Sequence, residues 1–175
     1  MKKIILGLFI FSLLLTDCSL VSETAPAEKI GSNESDQTPI SGKVPVGQPA
    51  AANKRNLSGQ QLGQVPADVF SQTNLIELDL SDNRLTGALP GEIRFLKNLK
   101  VLNASNNLMT GVPAEIGQLS GLEVLNLANN QLSGLPYELG NLQNLHTLDL
   151  SGNPYSEYDL AIIKQSLPET VNIIK

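Results

Sequence analysis

The sequence predicts a short α/β solenoid: stacked coils with a parallel sheet on one side and short helices or 3₁₀ turns on the other. Three observations predict it. First, the pattern Leu-x-x-Leu-x-Leu-x-x-Asn is written four times, as Leu75, Leu78, Leu80, Asn83; Leu99, Leu102, Ala104, Asn107; Leu122, Leu125, Leu127, Asn130; and Leu145, Leu148, Leu150, Asn153. Second, the copies start 24, 23 and 23 residues apart, and a period in that range fixes an architecture before any local propensity is weighed. Third, Glu77, Asp79 and Ser81 alternate with Leu78 and Leu80, so a short strand turns its leucines inward and its polar residues outward. One coil cannot bury its own leucines, whereas stacked coils share a core.

Each copy continues alike. After Asn83 comes Leu85-Thr86-Gly87-Ala88-Leu89-Pro90-Gly91-Glu92-Ile93; after Asn107, Met109-Thr110-Gly111-Val112-Pro113-Ala114-Glu115-Ile116-Gly117; after Asn130, Leu132-Ser133-Gly134-Leu135-Pro136-Tyr137-Glu138-Leu139-Gly140. Pro90, Pro113 and Pro136 suit the first position of a short helix or 3₁₀ turn, with a Glu two residues later in its first turn. Gly117 and Gly140 suit a left-handed exit; Arg94 breaks that rule. Asn83, Asn107, Asn130 and Asn153 should form an inward ladder whose amides bond backbone groups that the turn leaves unpaired.

These motifs resemble the leucine-rich repeat family over about residues 54–175. The Thr/Ser-Gly step and the 24-residue unit look like the plant-type subclass. The 23-residue units with Leu-Pro-x-Glu-Leu-Gly look like the bacterial type. The resemblance implies a right-handed superhelix with a concave parallel β-sheet, short helices or 3₁₀ turns on the convex side, and a C-terminal helical cap. The repeats divide as 75–98, 99–121, 122–144 and 145–155. A degenerate first coil, 54–74, puts Asn56-Leu57-Ser58 where Asp79-Leu80-Ser81 stand later, and Gln60 at the ladder position. Lys54 and Arg55 replace its apolar strand residues, which keeps an end coil soluble.

Ala104 stands where Leu80, Leu127 and Leu150 stand, a truncation that leaves space for Met109 and other neighbours to fill. The cap spans 156–175. Ser156-Glu157-Tyr158-Asp159 reads as a helix start, Leu160, Ile163 and Leu167 share one face, Pro168 ends the helix, and Val171-Asn172-Ile173 makes a last strand. The order of these elements is similar to C-terminal caps of small bacterial repeat proteins, so the domain is expected to end with the chain.

Ahead of the repeats, Lys2 and Lys3 precede an apolar run from Ile4 to Leu15, too short to span a bilayer and suited to an export signal over residues 1–17. Leu15-Thr16-Asp17-Cys18 resembles the lipobox of bacterial lipoproteins, with Asp17 where that family has a small residue. The resemblance makes Cys18 the lipidated residue and the chain an exported, membrane-anchored lipoprotein of the outer membrane or cell surface. Ala25-Pro26-Ala27 offers the alternative of a secreted or periplasmic protein. Residues 18–53, rich in Ser, Glu, Thr, Pro, Gly and Gln, read as a disordered tether, with an end-to-end distance of roughly 30–35 Å as a flexible coil.

Composition bounds the chemistry. The formal net charge of -5 speaks against nucleic acid, whose phosphates need clustered Lys and Arg. One Cys and one His leave no intrachain disulfide and no Cys/His metal cluster, and no cofactor is implied. His146, Asp149 and Ser151 do not make a triad, because residues three apart on a strand point to opposite faces. Glu77, Asp79, Asp82 and Asp149 match no calcium loop. The useful surface is the concave sheet. Its outward columns read Lys54, Glu77, Val101, Val124, Thr147; then Asn56, Asp79, Asn103, Asn126, Asp149; then Ser58, Ser81, Ser105, Ala128, Ser151. Glu77, Asp79, Val101, Asn103, Val124, Asn126, Thr147 and Asp149 are the candidate binding residues. They point to a monomeric, non-catalytic module for a protein or peptide ligand. The alternative is a structural or adhesion component of the envelope with no concave-face ligand.

Overall fold

In the computed structural model, which describes residues 53–175, the leucine period becomes a six-stranded parallel sheet. Its strands are β1 (Lys54–Asn56), β2 (Glu77–Asp79), β4 (Val101–Asn103), β6 (Val124–Asn126), β7 (Thr147–Asp149) and β8 (Asn172–Ile174), each hydrogen-bonded to the next in that order. Three residues per strand suffice because only the middle one is buried: Leu78, Leu102, Leu125 and Leu148 are in register and fully enclosed. Leu80, Leu127 and Leu150, one step beyond the strands, extend the same core, as do Ile93, Ile116 and Leu139 from the opposite side.

That opposite side is a row of five-residue 3₁₀ turns, Ala67–Ser71, Gly91–Phe95, Ala114–Gln118 and Tyr137–Asn141. The prolines sit one residue earlier than the sequence suggests. Pro90 has ψ 143° and lies ahead of its turn, and the same holds for Pro66, Pro113 and Pro136. Its carbonyl accepts the N–H of Ile93 at 3.0 Å, so the proline opens the turn through its acceptor rather than by filling the first helical position.

The two glycines expected at left-handed exits are not left-handed. The positive-φ glycines are Gly59, Gly87 and Gly152. Gly117 and Gly140 lie within 3₁₀ turns, where the next layer touches their backbone. A Cβ on Gly117 would stand 2.3 Å from the Glu138 carbonyl oxygen, and one on Gly140 would stand 2.7 Å from Ser166 Cβ. They are required for close stacking. Phe70 and Arg94 occupy the matching positions in the first two coils. There Phe70 is buried, and an apolar groove of about 380 Å³ opens between those coils, lined by Val65, Phe70, Pro90 and Phe95 among others.

A second, two-stranded parallel sheet joins β3 (Thr86–Gly87) to β5 (Leu108–Met109). Its first strand lies in the 24-residue unit and ends on Gly87 at φ 69°.

The ends are closed differently. Arg55 lies in register with Leu78, half-buried, with its guanidinium 3.5 Å from Asp68; its stem covers the core edge, and its Nε is buried without a hydrogen-bond partner among the described residues. At the other end, α1 (Glu157–Lys164) starts at Ser156, whose hydroxyl accepts the N–H of Asp159 at 3.3 Å. Leu160, Ile163 and Leu167 cover the last coil, and Ile173 pairs with Leu148.

Ala104 is fully buried in the continuous core, as is Met109. We expect Ala104→Leu to lower stability by about 1–3 kcal/mol, the usual cost of overpacking, measured as the shift of the urea midpoint. A gain in stability would reveal unfilled space.

Candidate binding face

Strand register aligns the face. Lys54, Glu77, Val101, Val124, Thr147 and Asn172 form one column, and Asn56, Asp79, Asn103, Asn126, Asp149 and Ile174 the other. The eight candidate residues from Glu77 to Asp149 are therefore brought together, and all are half-buried. The third column is open only at its ends, where Ser58 and Ser151 are half-buried. Ser81, Ser105 and Ala128 are buried, because the chain turns inward directly after the strand.

The turn that does this consumes half of the second column. Asp79 Oδ1 accepts the backbone N–H of Ser81 at 3.0 Å and lies 2.7 Å from its hydroxyl. Asn103 does the same for Ser105, Asp149 for Ser151, and Asn126 Oδ1 accepts from the Ala128 N–H at 3.0 Å. These are side-chain turns of the type that Asp and Asn favour. They leave one outward atom each: a carboxylate oxygen on Asp79 and Asp149, an amide NH₂ on Asn103 and Asn126. The amides are oriented unambiguously, since only their oxygen can receive a backbone N–H.

Beneath the face runs the asparagine ladder. Asn107 Oδ1 accepts the Leu85 N–H at 3.0 Å while its NH₂ donates to the carbonyls of Leu80, Ala104 and Ser105. Asn83, Asn130 and Asn153 repeat the set one coil apart, accepting from Leu62, Met109 and Leu132. Asn83, Asn107 and Asn130 are buried and Asn153 is half-buried. Gln60 is exposed and, among the described residues, makes no such bond.

A second row went unread in the sequence. Asp82, Asn106 and Asn129 hold φ of 56°, 55° and 54°, and they are exposed. Asn106 donates to Asp82 at 2.9 Å, and Asn129 to Asn106 at 2.9 Å. In the next coil Gly152, also at positive φ, stands where a Cβ would meet Asn129 Oδ1. Asp, Asn and Gly immediately before each ladder Asn was the available signal, because these residues tolerate the left-handed region.

Charges along the rim largely neutralise one another. Lys54 pairs with Glu77. Lys100 Nζ lies 2.6 Å from Glu123 and holds that carboxyl below its ordinary range. His146 is exposed, and the Asp149 oxygen that makes hydrogen bonds turns to Ser151. Asp79 and Asp149 thus keep the uncompensated charge of the two columns.

A stack of coils with a parallel inner sheet, 3₁₀ turns outside and buried asparagine ladders defines a class of repeat solenoid. Family models described as "Leucine rich repeat" and "Leucine Rich repeats (2 copies)" match residues 56–109 and 120–160. The chain belongs to the leucine-rich repeat family. It is similar to a leucine-rich repeat protein of Leptospira interrogans, 44% identical, over 64% of this chain and 28% of that one, with a TM-score of 0.60. It is also similar to the plant peptide hormone receptor RGFR1 in complex with RGF2, at 37% identity, 70% and 20% coverage and a TM-score of 0.59. The Arabidopsis receptor kinase HAESA, in complex with the peptide hormone IDA and the co-receptor SERK1, shares 30% identity over 75% of this chain and 27% of its own, with a TM-score of 0.56. The chain therefore spans under a third of each of these. It has no match among curated proteins.

Proposed function

We propose that this chain is a non-catalytic, monomeric module that binds an extended peptide or protein segment along its concave sheet, and that it is displayed at the bacterial cell envelope. The observation that carries the binding reading is the strip itself: two outward residues per strand, in register across five coils, with free amide and carboxylate groups beside Val101 and Val124. Similarity to receptors solved with peptide hormones supports it, and similarity to receptor domains of that kind supports an exported location. In the test, Val101→Arg and Val124→Arg together fill the strip without touching the turns beneath. Partner capture by the full-length protein from its own host should be lost while the unfolding midpoint holds. Capture that survives would sink the reading.

Cys18 and its flanking segments lie outside the described residues. The anchor rests on the residues around Cys18, and two or more acyl chains would make attachment stable. A palmitate analogue should label the wild type and not Cys18→Ala; an unlabelled wild type, expressed in its host, would overturn it.

A second reading, an adhesion or structural component, is favoured by exposed Phe95 and Tyr137 on the 3₁₀ side. Capture lost on Phe95→Ser with Tyr137→Ser, and kept on the valine double variant, would select it.

A further inference from the structure

We infer that the peptide taken up by this face carries two basic residues four positions apart with an apolar residue midway; the inference rests on the concave-face reading above. The side-chain turns decide which atoms remain for a ligand. Asp79 and Asp149 each give one oxygen to Ser81 or Ser151, and their second oxygen has no partner among the described residues. Every other ionised group in the two columns is answered within the protein, since Glu77 has Lys54. The two columns thus offer two separate negative points and, among the described residues, no free cation; Asp82 is a further exposed carboxylate on the row beside them.

Their separation sets the ligand. Asp79 and Asp149 lie at the same strand position on β2 and β7, with β4 and β6 between them. Three steps of about 4.8 Å place the two carboxylates roughly 14 Å apart along the stack. An extended chain laid across the strands advances about 3.4 Å per residue and turns alternate side chains to one side. Residues i and i+4 then point to the sheet about 14 Å apart, with i+2 between them. Beneath i+2 lie Asn103 and Asn126, and beside it, two residues (about 7 Å) along the strands, lie Val101 and Val124, half-buried and adjacent in register. The NH₂ groups of Asn103 and Asn126, oriented outward by their own turns, are donors for the carbonyls of the crossing peptide. Spacing and charge set the two basic positions, and the flanking valines favour an apolar side chain that leans towards them from between: the ligand is Lys/Arg-x-apolar-x-Lys/Arg.

The test uses fluorescein-labelled peptides containing Lys-Ser-Val-Ser-Lys, versions with the lysines two or six positions apart, and a Glu-Ser-Val-Ser-Glu control, titrated against the full-length protein by anisotropy at low salt. The i,i+4 peptide should bind best, and the acidic control should not bind. Asp79→Asn and Asp149→Asn retain the turn oxygen and remove only charge. Each should weaken the i,i+4 peptide about threefold to fivefold, as for exposed ion pairs, with less effect at high salt and none on the unfolding midpoint. Equal binding of all spacings, no binding of any, or indifference to both Asp→Asn changes would overturn the inference. Loss of the native partner on the valine double variant, with retention on the Asp79→Asn, Asp149→Asn double variant, would leave the concave-face reading standing and remove this one.

Discussion

Asn130→Ala should lower the stability of the repeat domain by about 2–4 kcal/mol, read from the urea midpoint at constant slope. The amide of Asn130 serves four backbone groups, but they do not suffer equally. The carbonyls of Ala104 and Leu127 also receive the amides of Asn107 and Asn153, and that of Ala128 receives the Asn106 N–H. The Met109 N–H has no second acceptor among the described residues. Its orphaning costs about 1–3 kcal/mol, and the void left by the amide adds to it. Asn130→Asp separates the two halves of the amide. It keeps an acceptor for Met109 but sets a second oxygen against three carbonyls, so at neutral pH it should be at least as damaging as Ala. Those carbonyls favour the protonated acid in the folded state, which raises its folded pKa. Stability relative to wild type should therefore be greatest below the unfolded Asp value of about 3.9 and fall as the pH rises from there towards the folded pKa. A variant whose deficit is independent of pH would mean that the second oxygen escapes to water.

Gly117→Ala is the second large effect. The Glu138 backbone oxygen and carbon lie 2.3 and 2.9 Å from the new Cβ, and neither can rotate away. The cost should reach about 3 kcal/mol, the upper range for overpacking. Gly140→Ala meets Ser166 in the cap and should cost about 1–2 kcal/mol. Gly111→Ala, 4.0 Å from Ala88 Cβ and not at positive φ, should fall within about 1 kcal/mol of neutral. If Gly117→Ala and Gly111→Ala unfold alike, close stacking is not what Gly117 supplies.

The contrast shows what a single repeat can reveal. Leu78 and Asn107 were legible because their roles follow from a period and from the chemistry of one side chain. Gly117 was misread because a local rule about turn exits competed with a contact to Glu138 in the next coil, and no single repeat displays that contact. The second columns of the face were legible as positions; their chemistry was not. Asp79 and Asn103 looked like whole ligand groups, and one oxygen of each is taken by the following turn. Ser81 and Ser105 alternate correctly on paper, yet the chain has already left the strand. Asp82, Asn106 and Asn129 were visible as residue types but not as a row, since a row exists only once the coils are stacked.

The layer contact at Gly117 also governs how such a protein can lengthen. Gly117 and Gly140 stand at equivalent positions of successive units, and Gly117 already accepts the 3₁₀ turn that begins at Tyr137. A tandem duplicate of residues 122–144 would thus present Gly140 to another copy of the surface that Gly117 now meets, and the asparagine row would continue through it. Residues 75–98 carry Arg94 at that position and could not be multiplied with the same close spacing. Growth by unequal recombination is therefore polarised in this molecule: new coils fit towards the C-terminal cap, while the first two coils are fixed in number.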